Sequence, residues 1–280
     1  MPGTLITVAP TGAETAKADV PQLPTTLEEL VETAQRCEAA GAGLIHVHVR
    51  DSDAGHVPTL DPVRLRDTVQ ALREATDLVV QLSTGGSVHD PLEKRLTVLD
   101  AEPDSCSLTC GTVNFGDDVF LNPYGFMGDL YVQAQEREVV PEFELFDLGH
   151  VAALRRLIDQ HGLPFGGKVH VDFVTNVPGG MPGTVDALVA GVQMLPAEVT
   201  SWSATGIGRA HLPIAAAALA MGGHLRVGME DNVMYARGQQ VQHNAELVER
   251  AAGLASTLQR PPLSTDEARE LLGVKERRAR

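Results

Sequence analysis

The run Leu44-Ile45-His46-Val47-His48-Val49-Arg50-Asp51 places two imidazoles inside an otherwise apolar, β-branched stretch that closes on charge. Side chains at i and i+2 of a strand share a face. His46 and His48 therefore point one way, and Ile45, Val47 and Val49 the other. Two neutral imidazoles converging from one strand are metal ligands by chemistry. A lone buried histidine is ordinarily a hydrogen-bonded core group; a pair at a strand's end, followed by Arg50 and Asp51, points to a metal.

A second constellation lies at 225–230, where the same alternation sets Arg226, Gly228 and Glu230 on one face. A guanidinium and a carboxylate inside a protein are costly unless paired or ligating. Glu230 is the natural third ligand beside His46 and His48. Two histidines and one carboxylate with an open position form a catalytic zinc arrangement, in which a carbonyl can be polarised. The plainer alternative is a buried Arg226–Glu230 ion pair. Asp231 follows directly and, with Arg226 near, suits an oriented general base. Gly85-Gly86 and Gly179-Gly180 fit backbone N–H groups turned toward a carboxylate or phosphate, although such loops often only turn the chain.

These residues fall at the ends of short apolar runs that alternate with amphipathic ones. Strands are expected at 5–10, 44–49, 78–83, 105–110, 142–146, 168–174, 198–203 and 225–230. Helices are expected at 26–40, 61–75, 91–99, 129–138, 148–161, 184–194, 209–221 and 239–258. Thr26 reads as an N-cap with Glu28 and Glu29 in the first turn and Gly41 as the stop; Pro62 and Pro91 fit first helical positions behind Asp61 and Asp90. Strands alternating with helices imply βα units and a parallel sheet. The count and length fit a closed, parallel, eight-stranded (β/α)8 TIM barrel, whose active site lies where strands end and βα loops begin. An open doubly wound sheet fits less well, because no Gly-x-Gly-x-x-Gly follows the first strand. Residues 1–280 read as one barrel domain with a helical extension at about 261–280, a helix at 265–272 and a basic Lys-Glu-Arg-Arg-Ala-Arg end. That end reads as a solvated terminus or an oligomer contact.

The chain has 280 residues, 43% hydrophobic and 21% charged, an ordinary globular composition. Its 22 basic and 37 acidic residues leave a net charge of −15, which disfavours nucleic acid and anionic membranes as partners. An anionic substrate then needs a local cation. The three cysteines, Cys37, Cys106 and Cys110, lack the pattern of a disulfide framework and read as core thiols. The N-terminus carries no signal-peptide pattern and no run of apolar residues is long enough to span a membrane, so a cytoplasmic location is expected. The histidines outside the pair read as surface or capping groups, except His170, which reads as mid-strand core, and Trp202 as core or pocket wall.

His46-Val-His-Val-Arg-Asp51, Ser83-Thr-Gly-Gly86, Gly111-Thr-Val-Asn-Phe115, Pro141-Glu-Phe-Glu-Leu-Phe-Asp147, Val177-Pro-Gly-Gly180 and Gly228-Met-Glu-Asp-Asn232 together resemble the β-keto acid cleavage enzymes, whose founding activity is 3-keto-5-aminohexanoate cleavage. The resemblance spans nearly the whole chain in motif order. It implies a zinc-bearing (β/α)8 barrel, commonly a homotetramer, that exchanges a β-keto acid with acetyl-CoA to give acetoacetate and a new acyl-CoA. On that resemblance His46, His48 and Glu230 match the zinc ligands and Asp231 the base, helped by Arg226 and Glu144. Glu14 matches a substrate-side carboxylate and favours a cationic substrate tail. Ser83, with the Gly85 and Gly86 loop, matches a substrate contact, and the hydroxyl from the strand at 105–110 is Ser107 or Thr109, with Ser107 favoured on its spacing from Ser83.

Three other readings compete. An amidohydrolase-type hydrolase also uses His-x-His, but on its first strand and with further histidines, for which His170 is a candidate here. A metal-dependent aldolase or lyase shares enolate chemistry without acetyl-CoA. A non-catalytic binding barrel does not explain so many polar groups converging on one face.

Overall fold

The computed structural model describes residues 3–275. Eight parallel strands close into a barrel: β1 (Ile6–Val8), β2 (Leu44–Val47), β3 (Val79–Leu82), β4 (Ser105–Thr109), β5 (Val140–Leu145), β6 (Val169–Thr175), β7 (Val199–Gly206) and β8 (His224–Val227). Each pairs with the next, and β8 closes on β1 with Ile6 opposite Leu225 and Thr7 opposite Arg226. Around them lie α1 (Leu27–Ala39), α2 (Pro62–Ala75), α3 (Leu92–Leu96), α4 (Tyr124–Glu136), α5 (Leu148–His161), α6 (Val185–Met194), α7 (His211–Ala220) and α8 (Asn244–Thr257), followed by α9 (Thr265–Leu272). The parallel eight-stranded barrel expected from the alternation of elements is the observed one.

The two faces of the sheet differ sharply. Outward residues such as Ile45, Val47, Val80, Leu108, Phe143 and Val171 are buried against the helices in one continuous apolar core. The inward rungs are polar. His46 lies level with Gln81, Gln81 with Ser105, Ser107 with Glu142, Glu142 with His170, and Asp172 with Ser203. Only the lowest rung is apolar: Leu5, Leu44, Val79 and Val140 meet Ala268 and Leu272 of α9, which closes the bottom of the barrel. Arg269 pins this helix to Asp104, 3.2 Å away, and a Ser264–Glu267 capping box starts it. The expected extension is thus the floor of the barrel rather than an appendage. The basic end of the chain, from 276 on, lies outside the described residues.

Several boundaries differ from the sequence expectation, each for a local reason. α1 begins as expected, on a Thr26 capping box with Glu29. The helix expected behind Asp90 instead has Pro91 as its N-cap, because the Asp90 carboxylate accepts from the Ser87 N–H in the preceding turn; it then tightens into a 3₁₀ turn, Thr97–Ala101. α4 starts at Tyr124, five residues earlier than expected. α8 starts at Asn244, because Gln239–Gln240 pairs with Met234–Ala236 as a hairpin. The last barrel strand stops at Val227, not at Glu230.

Leu272→Ala opens the floor of the barrel and should cost about 2–5 kcal/mol, read as a lower denaturant midpoint. An unchanged midpoint would show that α9 is not part of the folded core. Glu142 provides a pH test. Burial, with Asp172 nearby, pushes its carboxyl from 4.5 up to about 8. Between those values the folded chain holds a proton that the unfolded chain has lost, so stability falls as pH rises. Relative to Glu142→Gln, the wild type should lose roughly 1.4 kcal/mol per pH unit across that window. Parallel stability curves for the two proteins would show that Glu142 is not held neutral.

Candidate active site

His46, His48 and Glu230 come together at the C-terminal end of the barrel, their ligand atoms all within 4.8 Å of one another. His46 and His48 reach the site by strand alternation, as expected. Glu230 does not. Gly228 has φ +151° and passes so close to β1 that a Cβ there would sit 1.9 Å from the Ala9 carbonyl oxygen. Only glycine allows that approach. The chain then turns, with the N–H groups of Asp231 and Asn232 both donating to the Gly228 carbonyl (3.1 and 2.9 Å). Asn244, from α8, accepts from Met229 N–H and donates to the Pro10 carbonyl, holding the turn against β1. This turn, not period 2, aims Glu230 back over the barrel.

The donor set fits a divalent metal. His46 Nε2 and Glu230 Oε2 are buried with no hydrogen-bond partner, and the Nε2 atoms of His46 and His48 lie 3.8 and 3.6 Å from Glu230 Oε1. Orphaned buried polar atoms converging on one point are expensive unless something occupies it. Burial, reinforced by the Arg226 charge, lowers His46 to about 3, so its imidazole is neutral and able to ligate. Burial alone would raise Glu230, but the Arg226 charge outweighs it and holds the carboxyl at about 2.

Arg226 is the hub beneath these ligands. Its guanidinium donates to both oxygens of Asp231 (3.1 and 3.0 Å), to Glu144 Oε1 (3.1 Å) and to Glu230. Burial opposes its charge, but the carboxylates around it raise its pKa well above the ordinary value. Burial pushes Asp231 up to about 7 against the pull of Arg226, and raises Glu144 in the same way.

A cavity of about 250 Å³ opens over the site. Its floor is His48, Glu144, Arg226, Glu230 and Asp231, and its rim includes Glu14, Ser83, Gly85 and Gly86. Two of the expected substrate contacts do not line it. Ser107 accepts from the Thr84 N–H (3.3 Å), and Thr109 donates to Glu144 Oε2 (2.7 Å); both are buried behind the cavity wall. Gly179 packs on Asn114, where a Cβ would lie 2.5 Å from the Asn114 carbonyl oxygen, so this glycine serves a close approach of two loops. Trp202 faces the helices beside Phe173 and is not pocket wall. His170 sits low in the barrel on Ser201 and Glu142, and among the described residues no further histidine joins the triad. The reading of the other histidines as surface or capping groups fails for three: His150, His211 and His224 are buried, with His150 and His224 accepting backbone N–H groups.

The sequence reading missed two features. One is the opposite wall, where Phe115, Phe120 and Phe146 pack edge to face with centroids 6.0–6.3 Å apart. The other is the loop clamp. Arg50, of the His-x-His-x-Arg-Asp run, donates to the carbonyls of Gly12, Thr15 and His56, and so fixes the loop that carries Glu14. Gly12 (φ +64°) lets that loop lie on Glu230, 2.7 Å from where a Cβ would stand.

The chain is similar to known proteins over nearly its full length. A family model described as beta-keto acid cleavage enzyme matches residues 4–274. The 3-keto-5-aminohexanoate cleavage enzyme of Acetoanaerobium sticklandii is 38% identical over 272 residues, spanning 96% of this chain and 98% of that protein. The 3-oxoadipate:acetyl-CoA acetyltransferase of Cupriavidus necator is 35% identical over 273 residues, spanning 96% and 94%. Among solved structures, the ternary complex of ObcA with a C4-CoA adduct and oxalate superposes with a TM-score of 0.76, covering 91% of this chain and 68% of that one. At 20% identity that likeness concerns the fold alone. The match over nearly the full length, at this level of identity to curated relatives, makes the chain a member of the β-keto acid cleavage enzyme family.

Proposed function

We propose that this enzyme is an acyltransferase that exchanges a β-keto acid with acetyl-CoA, giving acetoacetate and a new acyl-CoA. The observation that carries the reading is the convergence of His46, His48 and Glu230 beside a buried Asp231 held by Arg226. The family match and the acetyl-CoA-dependent relative support it.

His46, His48 and Glu230 would hold Zn²⁺, which suits a site of two imidazoles and one carboxylate facing an open cavity. The ion, when bound, supplies Lewis-acid stabilisation for negative charge developing on a carbonyl oxygen. The rest falls to side chains. Asp231 removes the proton from the carbon between the two carbonyls of the β-keto acid, and that carbon attacks the acetyl thioester, expelling CoA thiolate. The thiolate then attacks the original keto carbon and breaks its bond to the same central carbon, which takes the proton back from Asp231 and leaves with the acetyl group as acetoacetate. Arg226 keeps Asp231 in place and stabilises charge in a water-poor setting. Glu144 sits on the far side of Arg226 and orients it; Thr109 acts through Glu144. Ser83 and the Gly85-Gly86 backbone would contact the substrate along the cavity rim, with Ser107 bracing that loop through Thr84.

For the tail, among the described residues Arg226 is the only Lys or Arg lining the cavity, and it is committed to three carboxylates. Glu14 stands at the rim as an exposed carboxylate. This charge balance favours a cationic tail lying along the phenylalanine wall and disfavours an anionic one. We place the reaction in the cytoplasm, carried out by a homotetramer of chains in which residues 1–280 act as one barrel domain. A mass by light scattering that fits monomers would remove the tetramer.

A panel of β-keto acids with acetyl-CoA, scored for acetoacetate and the new thioester, tests the reaction. An amine-bearing substrate should outpace a dicarboxylate of equal length; no turnover of any member by metal-loaded enzyme refutes the reading. Asp231→Asn should lower kcat by about 10²–10⁴-fold while keeping the metal. His48→Ala should lose the metal itself, measured by elemental analysis, and equal metal in both proteins removes the ligand assignment.

A further inference from the structure

Gln81 is the one polar residue in the body of β3, in the sequence Val79-Val80-Gln81-Leu82, and it is fully buried. Its level in the barrel is set by register: it lies opposite His46 on one side and Ser105 on the other. The His46 Nδ1 to Gln81 Oε1 distance is 2.5 Å, and Gln81 Nε2 donates to Ser105 Oγ at 3.0 Å. The amide nitrogen side also faces the carboxyl of Glu142, whose carbonyl oxygen can accept from it even when the group is protonated. An amide oxygen can only accept, so Nδ1 of His46 must carry the proton. The lone pair is then at Nε2, the buried atom without a partner, which looks toward Glu230. His48 is handled by the same βα unit, through a hydrogen bond to the Gly86 backbone just past β3.

We propose that Gln81 is a positioning residue for the metal centre: it locks His46 in the Nδ1–H tautomer and holds the ring so that Nε2 faces the ion. This rests on the metal reading above and adds to it the residue that makes one ligand competent. Outer partners of metal-bound histidines set ring angle and tautomer, and their loss commonly costs 10–100-fold in metal affinity. A neutral amide in this role also differs from the carboxylate often found there. It orients the ligand without adding another negative charge to an interior that already holds Glu144, Asp172, Glu230 and Asp231 around one arginine.

The test compares wild type, Gln81→Met, Gln81→Glu and His48→Ala by chelator competition for Zn²⁺ and by the visible spectrum of the Co²⁺-loaded proteins. Gln81→Met keeps the side chain's length and removes the acceptor. It should bind Zn²⁺ 10–100-fold more weakly, with an altered Co²⁺ spectrum. Gln81→Glu, which retains an acceptor oxygen, should restore tight binding. In metal-free wild type, nitrogen NMR of labelled histidine should find the His46 signal, identified by its loss in His46→Asn, protonated at Nδ1; this readout does not depend on how the Gln81 variants fold. Wild-type affinity and spectrum in Gln81→Met, or an Nε2–H tautomer in the wild type, overturns the role of Gln81. If His48→Ala loses the metal while Gln81→Met keeps it, only this proposal falls. If wild type binds no more metal than His48→Ala, the metal reading falls and this one with it.

Discussion

One buried guanidinium holds the site together. Arg226 stands inside a closed barrel, where an unpaired charge is prohibitive, and it is shared among Asp231, Glu144 and Glu230. Its charge favours the ionised form of all three, and theirs keep the guanidinium charged at this depth. The carboxylates come from different places: Glu144 from β5, the other two from the turn after β8. Arg226 therefore joins opposite parts of the barrel wall by charge rather than by packing. Three acceptors competing for one cation also leave net negative charge at the end of the barrel, which a divalent ion between His46, His48 and Glu230 would balance.

The polar interior is affordable because packing lies elsewhere. Each strand turns its apolar side chains outward onto the helices, where nearly all the hydrophobic burial is found, and its polar ones inward. The inner rungs then satisfy one another across neighbouring strands: His46 on Gln81, Gln81 on Ser105, Thr109 on Glu144, Ser203 and Thr205 on Asp172. Such networks are rigid when satisfied. The atoms left without partners mark the exceptions. Those of His46 and Glu230 face the ligand site, whereas those of Glu142 and His170 lie deeper, where a shared proton or a trapped water would satisfy them.

The loops add a second kind of constraint, in which glycine matters for where the chain can go. Gly228 permits the close crossing over β1 that turns Glu230 and Asp231 into the site, and Gly12 lets the Glu14 loop rest on Glu230. Arg50 then clamps that loop through three carbonyls. Residues of the same short motif thus do unrelated jobs: the imidazoles face Glu230, while the guanidinium two positions past His48 holds the rim loop.

The sequence by itself determined the strand–helix alternation, hence the parallel barrel, because periodicity and turn residues are local properties. It also determined that His46 and His48 share a face, because alternation in a strand is a fixed geometric rule. Glu230 was legible as a partner of the two histidines for a reason that did not hold: the strand ends before it, and a glycine turn delivers it instead. Gln81 carried a signal, a lone amide in an apolar strand, but its meaning depends on lying level with His46 across two paired strands. Whether Ser107 and Thr109 face substrate or neighbouring side chains, and which aromatic rings form the far wall, followed only from tertiary structure. Those facts depend on contacts between residues far apart in the chain, set by how eight strands stagger around a closed barrel, and no local pattern encodes that stagger.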